Sequence, residues 1–301
     1  MNIIETHNLT RRFGRMEAVH DLNLVVPTGS VFALLGANGA GKTTTLKVLM
    51  NLLPPTGGSA RVLGVDSRRL GEREFAQIGY VSENQQQPLW MTVRQLLDYC
   101  RPFYPTWDRE LEKRLLAQFA LPEDRKLSQL SRGMLMKAAL LSSLAYRPKL
   151  LVLDEPFSGL DALVRDEFIK GVLEVSSTGD WTVVVSSHDI DEVERLADHV
   201  ALLDGGRLRL SESAESLQGR FRRVEVTNAA AGVVAEPGWL EWERAGGLTR
   251  FIETRYAGEA TERAWRERFA GATVVGQPMT LREIFMALAR SARAGAQEAS
   301  A

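Results

Sequence analysis

The chain has 301 residues, 45% hydrophobic and 25% charged, with 37 Lys and Arg against 38 Asp and Glu and a formal net charge of −1. That composition belongs to an ordinary globular protein. It excludes collagen-like, disordered and disulfide-scaffold classes, and it argues against a globally basic nucleic-acid binder. The single cysteine, Cys100, excludes an internal disulfide framework and a multi-cysteine metal site, which makes a reducing cytosol the simplest compartment.

The first residues, Met1 to Glu5, lack a basic region followed by an apolar core, so no secretory signal is expected. No stretch approaches the ~20 apolar residues needed to cross a bilayer. Leu22 to Val26 has a strand pattern, Pro27 to Gly29 a turn, and Val31 to Leu35 the run of a short buried strand. Helical spacing of Leu46, Val48, Leu49, Leu52 and Leu53 predicts a helix over Thr43 to Leu53, stopped by Pro54-Pro55.

Between that strand and helix lies Gly36-Ala37-Asn38-Gly39-Ala40-Gly41-Lys42-Thr43, which matches G-x-x-x-x-G-K-[ST]. Glycines let the backbone curl so that its N–H groups face an anion. Lys42 sets a positive charge at the β and γ phosphates, Thr43 offers a hydroxyl to Mg²⁺, and the helix start adds its positive dipole end. Strand, Gly-rich loop and helix in that order oppose a chance match. Gly36, Asn38, Gly39, Ala40, Gly41, Lys42, Thr43 and Thr44 are the candidate phosphate contacts.

Residues 92 to 146 read as helical, with Leu96, Leu97, Leu111, Leu115 and Leu116 at helical spacing and breaks at Pro102 and Pro105. Strands are expected at Leu150 to Leu153, Thr182 to Ser186 and His199 to Leu203, with helices at Asp161 to Val175 and Asp189 to Ala197. This alternation implies a parallel sheet. The strand from Leu150 ends in Asp154-Glu155-Pro156, and ligands of parallel sheets bind beyond the carboxyl ends of strands. Asp154 is therefore expected to meet the Mg²⁺ held by Thr43, and Glu155 to lie beside the γ-phosphate and polarise a water. The bland alternative is that Asp-Glu-Pro only opens a turn.

From about 215 the pattern changes. Phe221 to Val226 and Leu248 to Thr254 alternate like strands, while Thr261 to Phe269 and Leu281 to Arg293 read as amphipathic helices. The expected organisation is a domain over 1–215 with a helical subdomain near 90–145, a small α+β domain over 216–293, and a disordered tail over 294–301.

Five further motifs carry a resemblance. Leu130-Ser131-Arg132-Gly133-Met134 resembles the LSGGQ signature of ABC ATPases, Ser158-Gly159-Leu160-Asp161 their D-loop, and Ser187-His188 their switch histidine. Phe13 in Arg11-Arg12-Phe13-Gly14 resembles the aromatic that stacks on adenine, and Tyr80-Val81-Ser82-Glu83 resembles the Q-loop. Together with the phosphate loop and the acidic strand end, they follow the family's order over about residues 1 to 210. The resemblance implies an α/β fold, a P-loop NTPase core of ABC ATPase type with a helical subdomain, here extended by the C-terminal α+β appendage. It also implies ATP and Mg²⁺ as cofactors. Glu155 and His188 become the catalytic candidates. Phe13, Ser131, Gly133, Asp161 and Glu83 join the nucleotide contacts, with Thr43, Asp154 and Glu83 near the metal. Phe13 as a core aromatic and His188 as a simple capping residue are the plain alternatives.

In that family two ATPase domains meet head to tail, so Ser131 and the Gly133 N–H are expected to bind the γ-phosphate of a partner's ATP. Three positions depart from the pattern. Glu83 stands where Gln is usual, with Gln85, Gln86 and Gln87 close enough for a shifted alignment, and Arg132 and Met134 replace Gly and Gln in the signature. Only about 85 residues, without heptads, separate phosphate loop and signature, which demotes DNA-repair members with long coiled coils. A single ATPase set demotes the translation-factor type. Pro88 to Val93 and Phe103-Tyr104-Pro105-Thr106-Trp107-Asp108 gather aromatics and Met where the family receives a coupling helix, although many of them would equally serve the subdomain's own core. That run and Met279 to Phe285 resemble ATPases of bacterial ABC-2-type exporters. The expected partners are a second ATPase subunit and a polytopic permease, with the chain peripheral on the cytoplasmic face of the membrane. A soluble, non-transport ABC regulator is the alternative.

Overall fold

The structure, a computed structural model, describes residues 1–176, 181–229 and 232–298. It divides into two compact units, Met1–Ser211 and the part from Glu212 onward, four residues before the boundary expected from the sequence.

The first unit opens with β1 (Asn2–Phe13), β2 (Met16–Leu22) and β3 (Val25–Pro27). The expected strand at 22–26 is thus split in two. The Asn23 side chain breaks it, accepting from the Asn8 amide and donating to the Asp21 carbonyl. Next come β4 (Val31–Leu35), α1 (Lys42–Leu49), β5 (Gly57–Val62), β6 (Val65–Asp66), α2 (Glu72–Phe75) and β7 (Ile78–Ser82). Helix α1 ends four residues before the expected Leu53. Asn51 takes a positive φ of 56°, and the Leu52 amide turns back to the Lys47 carbonyl, a capping turn that mimics helical spacing.

Three helices follow, α3 (Val93–Cys100), α4 (Arg109–Gln118) and α5 (Arg132–Leu144). Each starts at a capping side chain, Thr92, Asp108 and Ser131 respectively. Leu96, Leu97, Leu111, Leu115 and Leu116 are buried, as their spacing requires. The aromatic run before α4 divides. Tyr104 stacks on buried Tyr146 with ring centroids 3.8 Å apart, and the Trp107 indole donates to Glu112. Trp90 and Phe103 remain 68% and 63% exposed.

The unit closes with β8 (Leu150–Asp154), α6 (Ala162–Ser176), β9 (Thr182–Ser187), β10 (His199–Asp204) and β11 (Arg207–Ser213). The helix expected over Asp189 to Ala197 is absent. Only a 3₁₀ turn, Ile190–Glu192, forms, followed by single turns closed by the Glu194, Leu196 and Ala197 amides, which still bury Val193, Leu196 and Ala197.

Two sheets organise this unit. One is antiparallel, β2-β1-β5-β6 with β3 also on β1. The other has the order β11-β10-β4-β9-β8-β7, in which β10-β4-β9-β8-β7 run parallel. Between the sheets, Leu46, Val48 and Leu49 of α1 pack with Leu34, Val152 and Val184 in one core.

The second unit contains α7 (Ala214–Arg220), β12 (Arg222–Thr227), β13 (Trp239–Ala245), β14 (Leu248–Glu253), α8 (Glu259–Arg268), β15 (Thr273–Pro278) and α9 (Leu281–Glu298). Its antiparallel sheet has the order β13-β14-β12-β15, and Val224, Val226 and Phe251 pack against Trp265 and Phe269. Strand β13 escapes the sequence reading because a bulge between Leu240 and Glu243 breaks its alternation. Helix α9 continues to Glu298, through most of the stretch expected to be a disordered tail, and 299–301 lie outside the described residues.

Candidate functional site

The parallel sheet fixes the site by register. Leu35 pairs with Ser187, Ser186 with Asp154, and Asp154 with Ser82. The strand ends leading into Gly36, Glu83, Glu155 and His188 therefore lie side by side at one edge, the place where parallel sheets hold ligands.

The loop 36–43 is seated by backbone packing. Gly41 caps α1 with φ +100°, and a Cβ there would lie 2.3 Å from the Ala18 carbonyl oxygen of β2. No other residue fits that position. The Gly206 amide donates to the Ala40 carbonyl, closing the other side. Lys42 is 4% exposed. Its ammonium donates to the Gly36 and Ala37 carbonyls at 2.6 and 3.2 Å and pairs with Glu155 at 3.0 Å. Asn38 and Gly39 are exposed at the loop tip, and Thr44 is half-buried in the first turn of α1.

Across the loop, the Thr43 hydroxyl donates to Asp154 Oδ1 at 2.9 Å. The same oxygen accepts from Ser186 Oγ at 2.7 Å, and Ser186 Oγ accepts the Glu155 amide at 3.0 Å. Glu155 sits in the left-handed region, φ +50°, which a side-chain-bearing residue adopts only when its surroundings hold it there. One carboxylate oxygen meets Lys42 and the other His188 Nδ1 at 2.8 Å. Burial pushes the Glu155 pKa up, but the bonds from His188 and Lys42 outweigh it and hold the carboxyl below its ordinary value. Tyr80 is driven the other way, to about 12, by burial and by the Asp154 charge.

A hydroxyl and a carboxylate at one spot are hard oxygen donors of the kind Mg²⁺ takes, together with phosphate oxygens and water. Among the described residues no group of three His, Cys, Asp or Glu could hold a metal. Thr43 and Asp154 alone fall short of the six oxygen donors Mg²⁺ takes, so an ion there would need phosphate oxygens and water to complete its shell.

The remaining expected residues are placed less directly. Glu83 gives its amide to the Asp154 carbonyl at 3.0 Å. Its carboxylate, expected at the metal, is instead held by Arg132 at 2.5 Å and Ser158 at 2.9 Å. Of the neighbouring glutamines, Gln85 and Gln86 are exposed and Gln87 donates to the Leu135 carbonyl. Ser131 is exposed and caps α5 through the Met134 amide, while Gly133 is buried against Val164. The Asp161 carboxylate accepts the Val164 amide at the start of α6. Phe13 ends β1, 40% exposed, with the Arg11 guanidinium 4.5 Å from its ring centre. His7 is exposed, and His20 and His199 pair with Glu17 and Asp198.

Sequence reasoning missed Ser186 and Ser158 at this site. Ser186 had a usable signal, since it lies one residue before the end of an apolar strand parallel to the one that ends in Asp154. Ser158 was read only as the first residue of the D-loop match, and its bond to Glu83, 75 residues away, had no signal in the sequence.

The family model described as ABC transporter matches residues 19–158. An uncharacterised ABC transporter ATP-binding protein of Synechocystis is 32% identical over 75% of this chain and 67% of its own length. The bacitracin transport ATP-binding protein BcrA of Enterococcus faecalis is 30% identical over 77% of this chain and 76% of its own. A solved ATP-binding subunit of an ABC transporter superposes with a TM-score of 0.65 at 27% identity, covering 72% of this chain and 92% of that one.

Proposed function

Because this chain belongs to the family of ABC transporter ATP-binding proteins, we propose that it is one half of a paired ATPase that drives export through a separate membrane subunit. ATP binding and hydrolysis are its family activity. The observation that carries the mechanism is the register of strand ends that gathers Lys42, Thr43, Asp154, Glu155 and His188.

The loop amides, the start of α1 and the Lys42 ammonium receive the phosphates. Thr43 and Asp154 would hold Mg²⁺, which would supply charge neutralisation on the transferring phosphoryl group. Glu155, ionised and oriented by Ser186 and His188, accepts a proton from a water aimed at the γ-phosphorus, and His188 keeps water and phosphate in line. Ser131 and Gly133 act across the pair on nucleotide bound by the other copy, so hydrolysis needs two chains. Phe13 lies on the β1–β2 hairpin whose Ala18 carbonyl abuts Gly41, which supports stacking on the base.

No helix among the described residues is long and apolar enough to cross a membrane. The exposed Trp90, Leu89, Tyr99 and Phe103 offer the apolar surface that a membrane subunit's helix would cover. The relative named for bacitracin transport and the Phe-Tyr-Pro-x-Trp-Asp run support the exporter reading.

The test has two arms. In mild detergent the native chain should co-purify with a polytopic membrane protein, and Glu155→Gln should retain ATP in a stable dimer with hydrolysis largely lost. A chain recovered alone would remove the transport reading. An undiminished rate in Glu155→Gln would remove Glu155 from the base role.

A further inference from the structure

We propose that Glu83 and Arg132 form a latch that ties the hydrolytic strand end to the signature turn, acting as positioning residues and not as ligands of metal or phosphate. This rests on the ATPase reading above.

These are two of the positions where the chain departs from its family's usual residues, and the two departures touch. Arg132 Nη2 lies 2.5 Å from Glu83 Oε1 although 49 residues separate them. That same oxygen accepts the Ser158 hydroxyl at 2.9 Å, and the Glu83 amide donates to the Asp154 carbonyl at 3.0 Å. One residue thus joins three segments: the end of β7, the turn after β8, and the first turn of α5.

The guanidinium has a built berth. It lies over Gly159, where a Cβ would come within 2.8 Å of Nη1. On its other side the signature turn rests on α6, since a Cβ on Gly133 would lie 2.8 Å from Val164 Cγ1. Arg132 directly follows Ser131, the cap of α5, so holding Arg132 fixes the direction in which Ser131 and Gly133 face. A lone Glu83 carboxylate would repel a polyanionic ligand; the Arg132 guanidinium cancels that charge and fixes its direction.

Glu83 is 29% and Arg132 51% exposed. A pair that open to solvent adds little to folding. Its effect is geometric. A shift at Asp154 is passed through the Glu83 backbone to its carboxylate, and from there to the signature that the chain presents to its partner.

The experiment is a double-mutant cycle of Glu83→Gln, Arg132→Gln and the pair, with Arg132→Lys as the conservative variant. Steady-state ATPase is measured on the intact transporter against ATP and against Mg²⁺, with thermal melting as the folding control. Each single change should lower kcat about tenfold, since small misplacements of a reacting constellation are costly. KM and the Mg²⁺ midpoint should move less than about twofold, and the melting temperature should hold. The double variant should fall no further than either single, and Arg132→Lys should recover most of the rate. Losses that multiply to about a hundredfold, a shifted Mg²⁺ requirement in Glu83→Gln, or undiminished rates in both singles would each overturn the latch. Failure of the ATPase reading would look different: the unaltered protein would not hydrolyse ATP at all.

Discussion

Removing the Ser186 hydroxyl tests the site at its most constrained point. Ser186 is fully buried, and its oxygen makes two bonds, donating to Asp154 Oδ1 at 2.7 Å and accepting the Glu155 amide at 3.0 Å. A hydrogen bond to a charged group contributes about 1.5–3 kcal/mol, and a buried amide left without a partner costs about 1–3 kcal/mol. Ser186→Ala loses the first and creates the second. Asp154 keeps Thr43, which softens the loss, so the expected destabilisation is about 2–4 kcal/mol. Urea unfolding followed by circular dichroism reads it as a lower midpoint. The functional effect is separate. Glu155 holds a left-handed backbone that Ser186 secures, so kcat should fall about ten- to a hundredfold while nucleotide affinity, set by the loop, changes little. A stability loss below about 0.5 kcal/mol together with undiminished kcat would refute the reasoning.

Gly41→Ala forces a Cβ to within 2.3 Å of the Ala18 carbonyl at φ +100°, so it should abolish ATP binding in calorimetry. The pH dependence follows from Glu155, whose carboxyl is held below its ordinary 4.5. A carboxylate depressed in the folded state stabilises above its unfolded pKa and loses that contribution as pH falls through the folded one. The stability difference between wild type and Glu155→Gln should therefore stay flat across neutral pH and shrink only below about 4.5, as denaturation at a series of pH values would show. Trp90→Ala and Phe103→Ala should leave stability within about 0.5 kcal/mol yet lose the membrane partner in detergent pull-downs. Tyr104→Ala, which strips the stack on Tyr146, should cost about 1–3 kcal/mol in the same unfolding assay.

The phosphate-loop and acidic strand-end half of the candidate site was legible in the sequence because local chemistry dictates it. Gly36 to Thr43 needs its glycines for main-chain reasons, and Asp154-Glu155 ends a four-residue apolar run whose meaning is set by its neighbour loop. What spacing alone could not carry were bonds between distant segments. Ser186 to Asp154, Ser158 to Glu83 and Arg132 to Glu83 each depend on sheet register or on how α5 meets the strand ends. The misread elements have a common cause as well. Leu53 is half-buried while Leu52 stays exposed, and Val193, Leu196 and Ala197 are buried by single turns, so apolar residues at helical spacing are placed there without a continuous helix. The 12-residue strand β1 went unread because polar residues and register shifts interrupt its alternation.

The seat of the nucleotide loop bears on genetics. The Ala18 carbonyl is the neighbour of both Gly41 and Gly206, and the Ala40 carbonyl takes the Gly206 amide, so the contact is main chain against main chain. A lesion at Gly41 therefore has no compensating exchange at Ala18 or Ala40, because trimming a side chain does not move a peptide group. A saturation screen for revertants should return true reversion at codon 41 and no suppressors along the opposing strand.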